Sequence, residues 1–320
     1  MSPLIQTDRP TSRVGLDRDL DLFEQTVPRS LVHRAAVSEV LVTGWRSTEG
    51  TSYRLGAQWS RGHSYYGSVA NRWHDPMLLA ESIRQSCLLL AHEALDVPMT
   101  HQFLTTRTSF QADEAGVRLS RPGRPAHVVL DMSLAEVKRR AGAVSSYAYD
   151  VVALRDGERI GSGYLQGQCV SPAVYKRLRG DRYKARASGP AVQPVDPRLV
   201  GRDCEFDVVL GTSVADGVMP LRIDPEHPVL FDHPVDHVSG MVLMEAARQM
   251  AVLALRAPSA LLVACEANFK RYVEFHVPCL VTVGPSERDA EGRSLLTVRF
   301  HQGGAEVGTC RVAMDTSAED

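Results

Sequence analysis

The sequence predicts an α+β protein of two similar halves, in each of which one long buried helix is followed by antiparallel strands. Residues 77–90 (MLLAESIRQSCLLL) and 241–255 (MVLMEAARQMAVLAL) are apolar on nearly every side, as is typical of a helix inside a domain. Both contain the pattern E-x-x-R-Q, which begins at Glu81 and at Glu245. The same polar pattern in the same register on two apolar helices indicates an internal duplication.

Length and composition agree with two domains and narrow the classes of partner. The 320 residues, with 44% hydrophobic content, are sufficient for two cores. The formal net charge of −2 gives no overall reason to expect nucleic acid or an acidic membrane as a partner. The opening residues lack the apolar core of a signal peptide, and no run of about 18 apolar residues predicts a membrane span, so we expect a cytoplasmic protein.

The six cysteines favour neither disulfides nor a metal centre. They are scattered through the chain without a C-x-x-C pair or a histidine at metal-ligand spacing. We therefore expect reduced, mostly buried thiols, and neither a metal ion nor any other cofactor.

The amino-terminal half has the order strand, loop, helix, strands. Residues 1–26 are polar and interrupted by two prolines, which predicts a flexible arm. Apolar alternation over residues 37–44 predicts a strand, and a loop rich in glycine, aromatic residues and histidine leads into the first helix. After the helix, Asp156-Gly157 between two alternating segments predicts a β-hairpin. These elements form a predicted domain of residues 27–178.

A basic segment separates the two halves. We predict a linker at residues 179–198, where the composition turns to proline, glycine and alanine. A solvated linker is the favoured interpretation of the basic residues near its start, although they could dock an acidic protein or a phosphate. They are Lys176, Arg177, Arg179, Arg182, Lys184 and Arg186. The predicted second domain, residues 199–320, repeats the order of the first and begins with a predicted strand at residues 204–211 (CEFDVVLG).

Three segments resemble the A-factor biosynthesis hotdog family, the bacterial synthases of γ-butyrolactone autoregulators. They are residues 27–45 (VPRSLVHRAAVSEVLVTGW), 73–85 (WHDPMLLAESIRQ) and 231–249 (FDHPVDHVSGMVLMEAARQ). The resemblance implies a tandem double hotdog, in which two long central helices are each wrapped by an antiparallel sheet and pack as a pseudo-dimer. Because two hotdogs in one chain already satisfy the usual dimer, we expect a monomer or a homodimer.

The resemblance also implies an activity and its partners. Members transfer a β-ketoacyl group from acyl carrier protein to the hydroxyl of dihydroxyacetone phosphate. The phosphorylated ester then closes to a butenolide by an intramolecular condensation, on the way to a signalling molecule that controls secondary metabolism.

Acyl transfer to a hydroxyl needs a proton acceptor, and the sequence contains three candidates. Without a G-x-S-x-G elbow or a cysteine with an evident histidine partner, we expect direct attack and no covalent acyl-enzyme. Glu245 is the first choice, since burial on an apolar helix is expected to raise its pKa toward neutrality. Glu81 occupies the matching position in the first helix. His237, in the loop before the second helix, is an alternative acid or base.

Further residues are candidates for binding the substrates. Each arginine of the E-x-x-R-Q pattern lies one turn from its glutamate, where it could hold an anion, and the glutamine lies on the same face. The backbone N–H groups at the start of the second helix suit a thioester carbonyl or a phosphate. The candidates are Arg84, Gln85, Arg248, Gln249, Gly240 and His74. Alternatively, each Glu–Arg pair only fixes how the two halves meet.

Three other functions fit a double hotdog. A thioesterase would use the same glutamate to activate water and would need no phosphate site. A dehydratase is disfavoured, because its H-x-P-G segment is missing at the usual distance before the helix acid. A non-catalytic binding protein would tolerate the loss of Glu245. If Glu245 is the general base, Glu245→Gln is expected to abolish activity while the thermal midpoint barely moves.

Overall fold

The amino-terminal half is one long helix wrapped by antiparallel strands. The structure is a computed structural model that describes residues 19–119, 125–186, 192–215 and 217–317. Helix α1 spans Met77–Glu93. The strands of this half are β1 (Val42–Ser47), β2 (Ser52–Trp59), β3 (Gln102–Ala112), β4 (Ala126–Arg140), β5 (Ala143–Arg155) and β6 (Glu158–Val170). They pair in the order β1-β2-β4-β5-β6-β3.

The carboxyl-terminal half repeats this plan in a shorter form. A short helix, α2 (Pro172–Arg179), leads out of the first half, and the second long helix, α3, spans Gly240–Leu255. The strands of this half are β7 (Val218–Pro220), β8 (Leu261–Phe269), β9 (Cys279–Val283), β10 (Glu287–Arg288), β11 (Ser294–Gln302) and β12 (Ala305–Asp315). Their order is β8-β12-β11-β9-β7, with β10 paired to β11.

Strands β3 and β8 join the two halves into one sheet. They pair antiparallel, with Ser109 opposite Glu266 and Phe110 opposite Cys265. Each is the first strand after its half's long helix, so equivalent strands meet about a pseudo-twofold axis. Within the described residues, all twelve strands belong to this sheet. The predicted α+β tandem double hotdog, packed as an internal pseudo-dimer, is confirmed.

Glycines let the sheet pack closely on α1. A Cβ atom at Gly163 of β6 would lie 2.3 Å from Ile83 Cδ1, so a larger residue would push the strand away from the helix. Every residue of α1 except Arg84 and Glu93 is buried. The close packing therefore leaves Arg84 as the accessible polar group in the middle of this helix.

Two segments predicted to belong to strands form single turns of 3-10 helix instead. These are Val37–Glu39 and Glu205–Asp207, which occupy matching places in the two halves. A backbone N–H that follows each turn donates to a helix glutamine, with N to Oε1 distances of 2.8 Å from Leu41 to Gln85 and 3.0 Å from Val209 to Gln249. In the first half, regular strand pairing therefore begins only at Val42.

The predicted hairpin turn at Asp156-Gly157 is confirmed, and a second one joins the last two strands. Asp156 and Gly157 have φ values of 53° and 84°. Gly303 and Gly304, between β11 and β12, have φ values of 60° and 78°. Positive φ at both central residues is the type I′ arrangement, which matches the twist of an antiparallel pair.

The segments predicted to lie outside the domains are only partly described. Residues 1–18 of the predicted arm and 187–191 of the predicted linker lie outside the described residues. The rest of the arm packs on the sheet, where Leu22 is buried and Asp19 pairs with Arg46 and Arg54. The domain limits 27–178, 179–198 and 199–320 stay predictions. No helix in the described part of the chain is long and apolar enough to cross a membrane.

Candidate active site

Glu81 is the centre of a buried polar cluster in the first half. Its Oε1 accepts hydrogen bonds from Arg34 Nη2 at 2.6 Å, from Arg84 Nη2 at 2.8 Å and from Gln85 Nε2 at 2.7 Å. Arg84 and Gln85 belong to the same helix, whereas Arg34 lies in the segment before β1. The E-x-x-R-Q pattern therefore supplies three of the four groups, and the fold supplies the fourth.

The second half contains the same cluster around Glu245. Its Oε1 accepts hydrogen bonds from Arg202 Nε at 3.1 Å, from Arg248 Nη2 at 2.7 Å and from Gln249 Nε2 at 2.6 Å. Arg202 lies before the second half's Glu205–Asp207 turn, as the matching arginine of the first half lies before its own turn. The duplication therefore extends beyond the pattern seen in the helices.

Each cluster is also bonded to a loop of the opposite half. Arg34 Nη1 donates to the Val229 carbonyl at 2.9 Å, and Arg202 Nη1 donates to the Tyr65 carbonyl at 2.7 Å. The two bonds are reciprocal across the pseudo-twofold axis. They support the interpretation that the Glu–Arg pairs fix how the two halves meet.

The expectation that burial raises the pKa of Glu245 toward neutrality is wrong. Burial acts in that direction, but the positive charges of Arg202 and Arg248 outweigh it and lower the pKa from 4.5 to about 2. The pKa of Glu81 is also lowered, because the arginines of its cluster outweigh its burial. Both carboxylates are ionised at neutral pH and bound to guanidinium groups, which is unfavourable for a general base.

A cleft of about 1620 Å³ opens between α1 and the loop that precedes α3. Three of the predicted site residues line it, namely Arg84, His237 and Gly240. The others, which do not line it, are Glu81, Gln85, His74, Glu245, Arg248 and Gln249. The cleft breaks the pseudo-symmetry, since Arg84 lines it while its counterpart Arg248 is buried.

His74 is a core residue of the first half. It is 2% exposed, and its ring lies edge-on to Trp59 with 5.8 Å between the ring centroids. Burial, together with the charges of Arg155 and Arg61, lowers its pKa from 6.5 to about 4, so it is neutral at physiological pH. The structure does not bring this predicted binding residue to the cleft.

His237 and Asp236 form a hydrogen-bonded pair in the wall of the cleft. His237 Nδ1 lies 2.8 Å from Asp236 Oδ1, and Tyr175 donates its hydroxyl to the same oxygen at 2.6 Å. Burial acts to raise the pKa of Asp236, but hydrogen bonds from His237 and Tyr175 and the charge of Arg179 outweigh it and lower the pKa to about 2. Donation from Nδ1 to the ionised carboxylate would leave the lone pair of His237 Nε2 facing away from Asp236, where it could accept a proton.

A second pair, Asp232 and His233, lies four residues earlier in the same loop and also lines the cleft. His233 Nδ1 lies 2.6 Å from Asp232 Oδ1. Asp232 Oδ2 accepts a hydrogen bond from the Ala35 N–H at 2.8 Å, which ties the loop to the first half. Burial acts to raise the pKa of Asp232, but the bond from His233 and the charge of Arg34 outweigh it and lower the pKa to about 2.

The amino terminus of α3 opens into the cleft, whereas that of α1 is capped. Ser239 and Gly240 line the cleft, and the Ser239 side chain makes no capping bond to the first turn. In α1, Asp75 Oδ1 accepts from the Met77 N–H at 2.9 Å. The first N–H groups of a helix have no partner within the helix and lie at the positive end of its dipole. Helix α3 therefore presents a site for a carbonyl oxygen or an anion close to His237.

Comparison with known proteins places this chain in a family. The A-factor biosynthesis hotdog domain matches residues 17–171 and 184–317. The chain belongs to the A-factor biosynthesis hotdog family. A 2-oxo-3-(phosphooxy)propyl 3-oxoalkanoate synthase from Streptomyces virginiae is 41% identical over 296 residues, which cover 92% of this chain and 99% of the relative. A synthase of the same name from Streptomyces coelicolor is 33% identical over 90% of this chain and 92% of the relative.

A solved structure agrees with the family assignment at the level of the fold. The 12:0-ACP thioesterase from Umbellularia californica superposes with a TM-score of 0.52, over 84% of this chain and 99% of that chain. Its sequence identity is 12%, so the similarity supports the shared fold and gives no information about the reaction.

The sequence analysis did not single out Asp232 and Asp236, the two aspartates that line the cleft. Residues 232–237 read DHPVDH, so each histidine directly follows an aspartate. That repeat was the available signal. An aspartate next to a histidine in sequence need not contact it, and only the folded loop shows that both pairs are hydrogen bonded.

Sequence reasoning also misjudged the basic segment after β6. Arg179, at the end of α2, is 4% exposed, donates Nη2 to the Asp236 carbonyl at 2.7 Å and donates Nη2 to Glu274 at 2.8 Å. The solvated-linker interpretation is wrong for this residue, because its guanidinium compensates two buried carboxylates. Besides Arg34 and Arg84, five arginine and lysine residues line the cleft, namely Arg182, Lys184, Arg186, Lys270 and Arg271.

The cysteines and the possible metal ligands add no further group to the site. All six cysteines are free and five of them are buried, as expected, while Cys204 is exposed. Within the described residues, no group of three or more histidine, cysteine, aspartate or glutamate side chains is arranged to hold a metal ion.

Proposed function

We propose that this protein transfers a β-ketoacyl group from a thioester to the hydroxyl of dihydroxyacetone phosphate. The Streptomyces relatives are named 2-oxo-3-(phosphooxy)propyl 3-oxoalkanoate synthases, and the compound in that name is the ester of these two parts. The observation that carries the proposal is the His237–Asp236 pair beside the open amino terminus of α3. Closure of the ester to a butenolide would then lead to a γ-butyrolactone-type signalling molecule.

His237 acts as the general base in this proposal. Because its Nδ1 proton is held by Asp236, Nε2 accepts the proton of the attacking hydroxyl. The hydroxyl oxygen bonds to the thioester carbon, and the N–H groups at Gly240 stabilise the negative charge that develops on the carbonyl oxygen. When the C–S bond breaks, the imidazolium returns the proton to the leaving thiolate. No acyl-enzyme is formed.

The remaining walls of the cleft suit the other parts of the two substrates. The acyl chain packs on apolar residues, which are Leu88, Phe103, Leu165, Met241 and Met244. The phosphate binds where Arg182 and Lys184 line the cleft, since a phosphate in a partly solvated site needs several cationic donors. Arg84, whose side chain is 21% exposed, contacts the polar head of the acyl group.

The two buried glutamates hold the arginines that surround them in place and do not contact the substrates in this proposal. Glu245 and Glu81 are each held by guanidinium groups from two parts of the chain, and neither lines the cleft. We assign both a positioning role in place of the predicted role of base. Arg248, Gln249 and Gln85 belong to the same buried clusters, so they also support the site without touching substrate.

The thioester is delivered by acyl carrier protein in this proposal, and the reaction takes place in the cytoplasm, where such thioesters are made. Both halves of one chain contribute to the cleft, with Arg84 from the first and His237 from the second. A monomer therefore contains a complete site, and a homodimer would contain two.

Mass spectrometry of the reaction products tests the proposed function. The purified protein is incubated with a β-ketoacyl thioester, with and without dihydroxyacetone phosphate. A phosphorylated ester or butenolide that forms only with both substrates is the expected result. Free β-keto acid in both reactions would show a thioesterase. A separate incubation with a β-hydroxyacyl thioester tests for a dehydratase, which would remove water from that substrate. No turnover, even of a carrier-bound thioester, would indicate a binding protein.

A further inference from the structure

Helix α2 presents a basic and partly apolar face to solvent. Lys176 and Arg177 are exposed, and Val174 and Leu178, one turn apart, are 36% and 58% exposed. Over residues 171–186 the chain has six basic side chains and one acidic one, although its net formal charge is −2. This segment next to the cleft therefore has a net formal charge of +5 (six basic minus one acidic side chain).

The opposite face of α2 is bonded to the loop that carries Asp236 and His237. Tyr175 donates its hydroxyl to Asp236 Oδ1 at 2.6 Å, and Arg179 donates to the Asp236 carbonyl at 2.7 Å. The Arg179 guanidinium also lies over the Tyr272 ring, 4.3 Å from its centroid. Tyr175 itself lines the cleft. One side of this helix thus holds the aspartate that orients His237, and the other side is free to meet a partner.

Lys176 and Arg177 are placed to meet something larger than the phosphate of a small substrate. They do not line the cleft, which has cationic residues of its own at Arg182 and Lys184. The exposed apolar pair beside them would be covered by a protein surface and not by a free anion. A macromolecule with negative charge around an apolar contact matches both features.

We propose that the exposed face of α2, formed by Val174, Lys176, Arg177 and Leu178, docks an acidic helix of the acyl carrier protein that presents the thioester to the cleft. This inference rests on the proposed function. It explains why a basic helix is bonded directly to Asp236. A carrier docked on the exposed side of α2 would present its thioester close to His237, whose partner Asp236 is bonded to the buried side of the same helix.

The test compares carrier-bound and carrier-free substrates. Lys176→Glu/Arg177→Glu is assayed with a β-ketoacyl acyl carrier protein and with the same acyl group on pantetheine. Lys138→Glu/Arg140→Glu, on exposed residues at the β4–β5 end of the sheet, is the matched control. We expect the α2 variant to raise KM for the carrier-bound substrate at least tenfold and to leave turnover of the pantetheine thioester unchanged. In the wild type, KM for the carrier-bound substrate should rise with salt concentration, and in the α2 variant this dependence should be lost.

Equal losses with both substrates, or full activity with the carrier substrate, would overturn the docking proposal. Direct titration with labelled acyl carrier protein measures a Kd without turnover. Comparing the Kd of the wild type with that of the α2 variant therefore tests docking even if the enzyme is inactive. If the wild type turns over neither thioester but binds the carrier, and the α2 variant binds it at least tenfold more weakly while the control variant does not, the proposed function is refuted and the docking surface is supported. Binding to phosphatidylserine vesicles and not to the carrier would show a membrane-docking face instead.

Discussion

Arg34 Nη2 lies 2.6 Å from Glu81 Oε1, and both side chains are buried. Another nitrogen of the same guanidinium, Nη1, lies 3.4 Å from Asp232 in the loop that carries His237. One arginine therefore connects the central helix of the first half to the His237 loop of the second half. This contact makes the position of the proposed base depend on residues far from it.

Replacement of Arg34 by leucine is expected to lower both stability and activity. Glu81 would lose a buried partner, which typically costs about 3–5 kcal/mol of unfolding free energy. The loop would lose the bond to the Val229 carbonyl as well, so kcat should fall in the fraction that stays folded. Urea unfolding and steady-state kinetics measure the two effects. Arg140→Leu, at an exposed site, is the control, and a wild-type midpoint in Arg34→Leu would contradict the buried role.

Glu245→Gln is expected to destabilise the protein, in contrast to the expectation drawn from the sequence. The carboxylate compensates Arg202 and Arg248, so a neutral amide would leave two guanidinium groups buried without a counter-charge. We expect a loss of about 3–5 kcal/mol, measured by chemical or thermal unfolding. An unchanged midpoint together with abolished turnover would instead restore Glu245 as the general base.

The lowered pKa values predict a loss of stability in acid. The pKa of Glu245 is lowered from 4.5 to about 2 and that of Asp236 from 3.8 to about 2. A carboxyl group with a lower pKa in the folded state stabilises fully above its unfolded pKa, and this contribution disappears as the pH falls through the folded pKa. The thermal midpoint should therefore decrease between about pH 4.5 and pH 2. Glu245→Gln should show a shallower decrease, and equal slopes would mean that Glu245 is not ionised in the wild type.

Arg182→Ala/Lys184→Ala is expected to weaken the binding of dihydroxyacetone phosphate selectively. Both side chains line the cleft, and two cationic contacts to a phosphate are together worth about tenfold or more in KM. The KM for a pantetheine thioester should stay within about twofold of the wild-type value, because that substrate has no anionic group to contact Arg182 or Lys184. Initial rates at varied concentrations of each substrate separate the two effects. A parallel rise in both KM values would place the phosphate elsewhere.

The paired helices and the turns can be predicted from sequence because their signals are local. Arg34 and Arg202 are different, since they lie 47 and 43 residues from the glutamates that they bind. Their shared signal is the pattern L-V-x-R, at residues 31–34 and 199–202. The pattern alone does not indicate which carboxylate each arginine binds, because that depends on the fold.

The location of the cleft cannot be predicted from E-x-x-R-Q, because both halves contain that pattern. The difference lies in the residues before the helices, where Asp75 caps α1 while Ser239 leaves α3 uncapped. Sequence reasoning also favoured Glu245 on the basis of its burial alone. The charges of Arg202 and Arg248 reverse the expected pKa shift, and they become visible only when distant segments are brought together.

Comparison of His237→Asn with His233→Asn in a single-turnover assay of ester formation is the decisive measurement. Asparagine keeps a donor for the neighbouring aspartate but removes the base at Nε2. We predict that His237→Asn lowers the rate about 10²-fold or more, that His233→Asn lowers it less than about tenfold, and that the exposed His276→Asn control has no effect. A larger loss in His233→Asn than in His237→Asn, or wild-type rates in both, would contradict the assignment of His237 as the base.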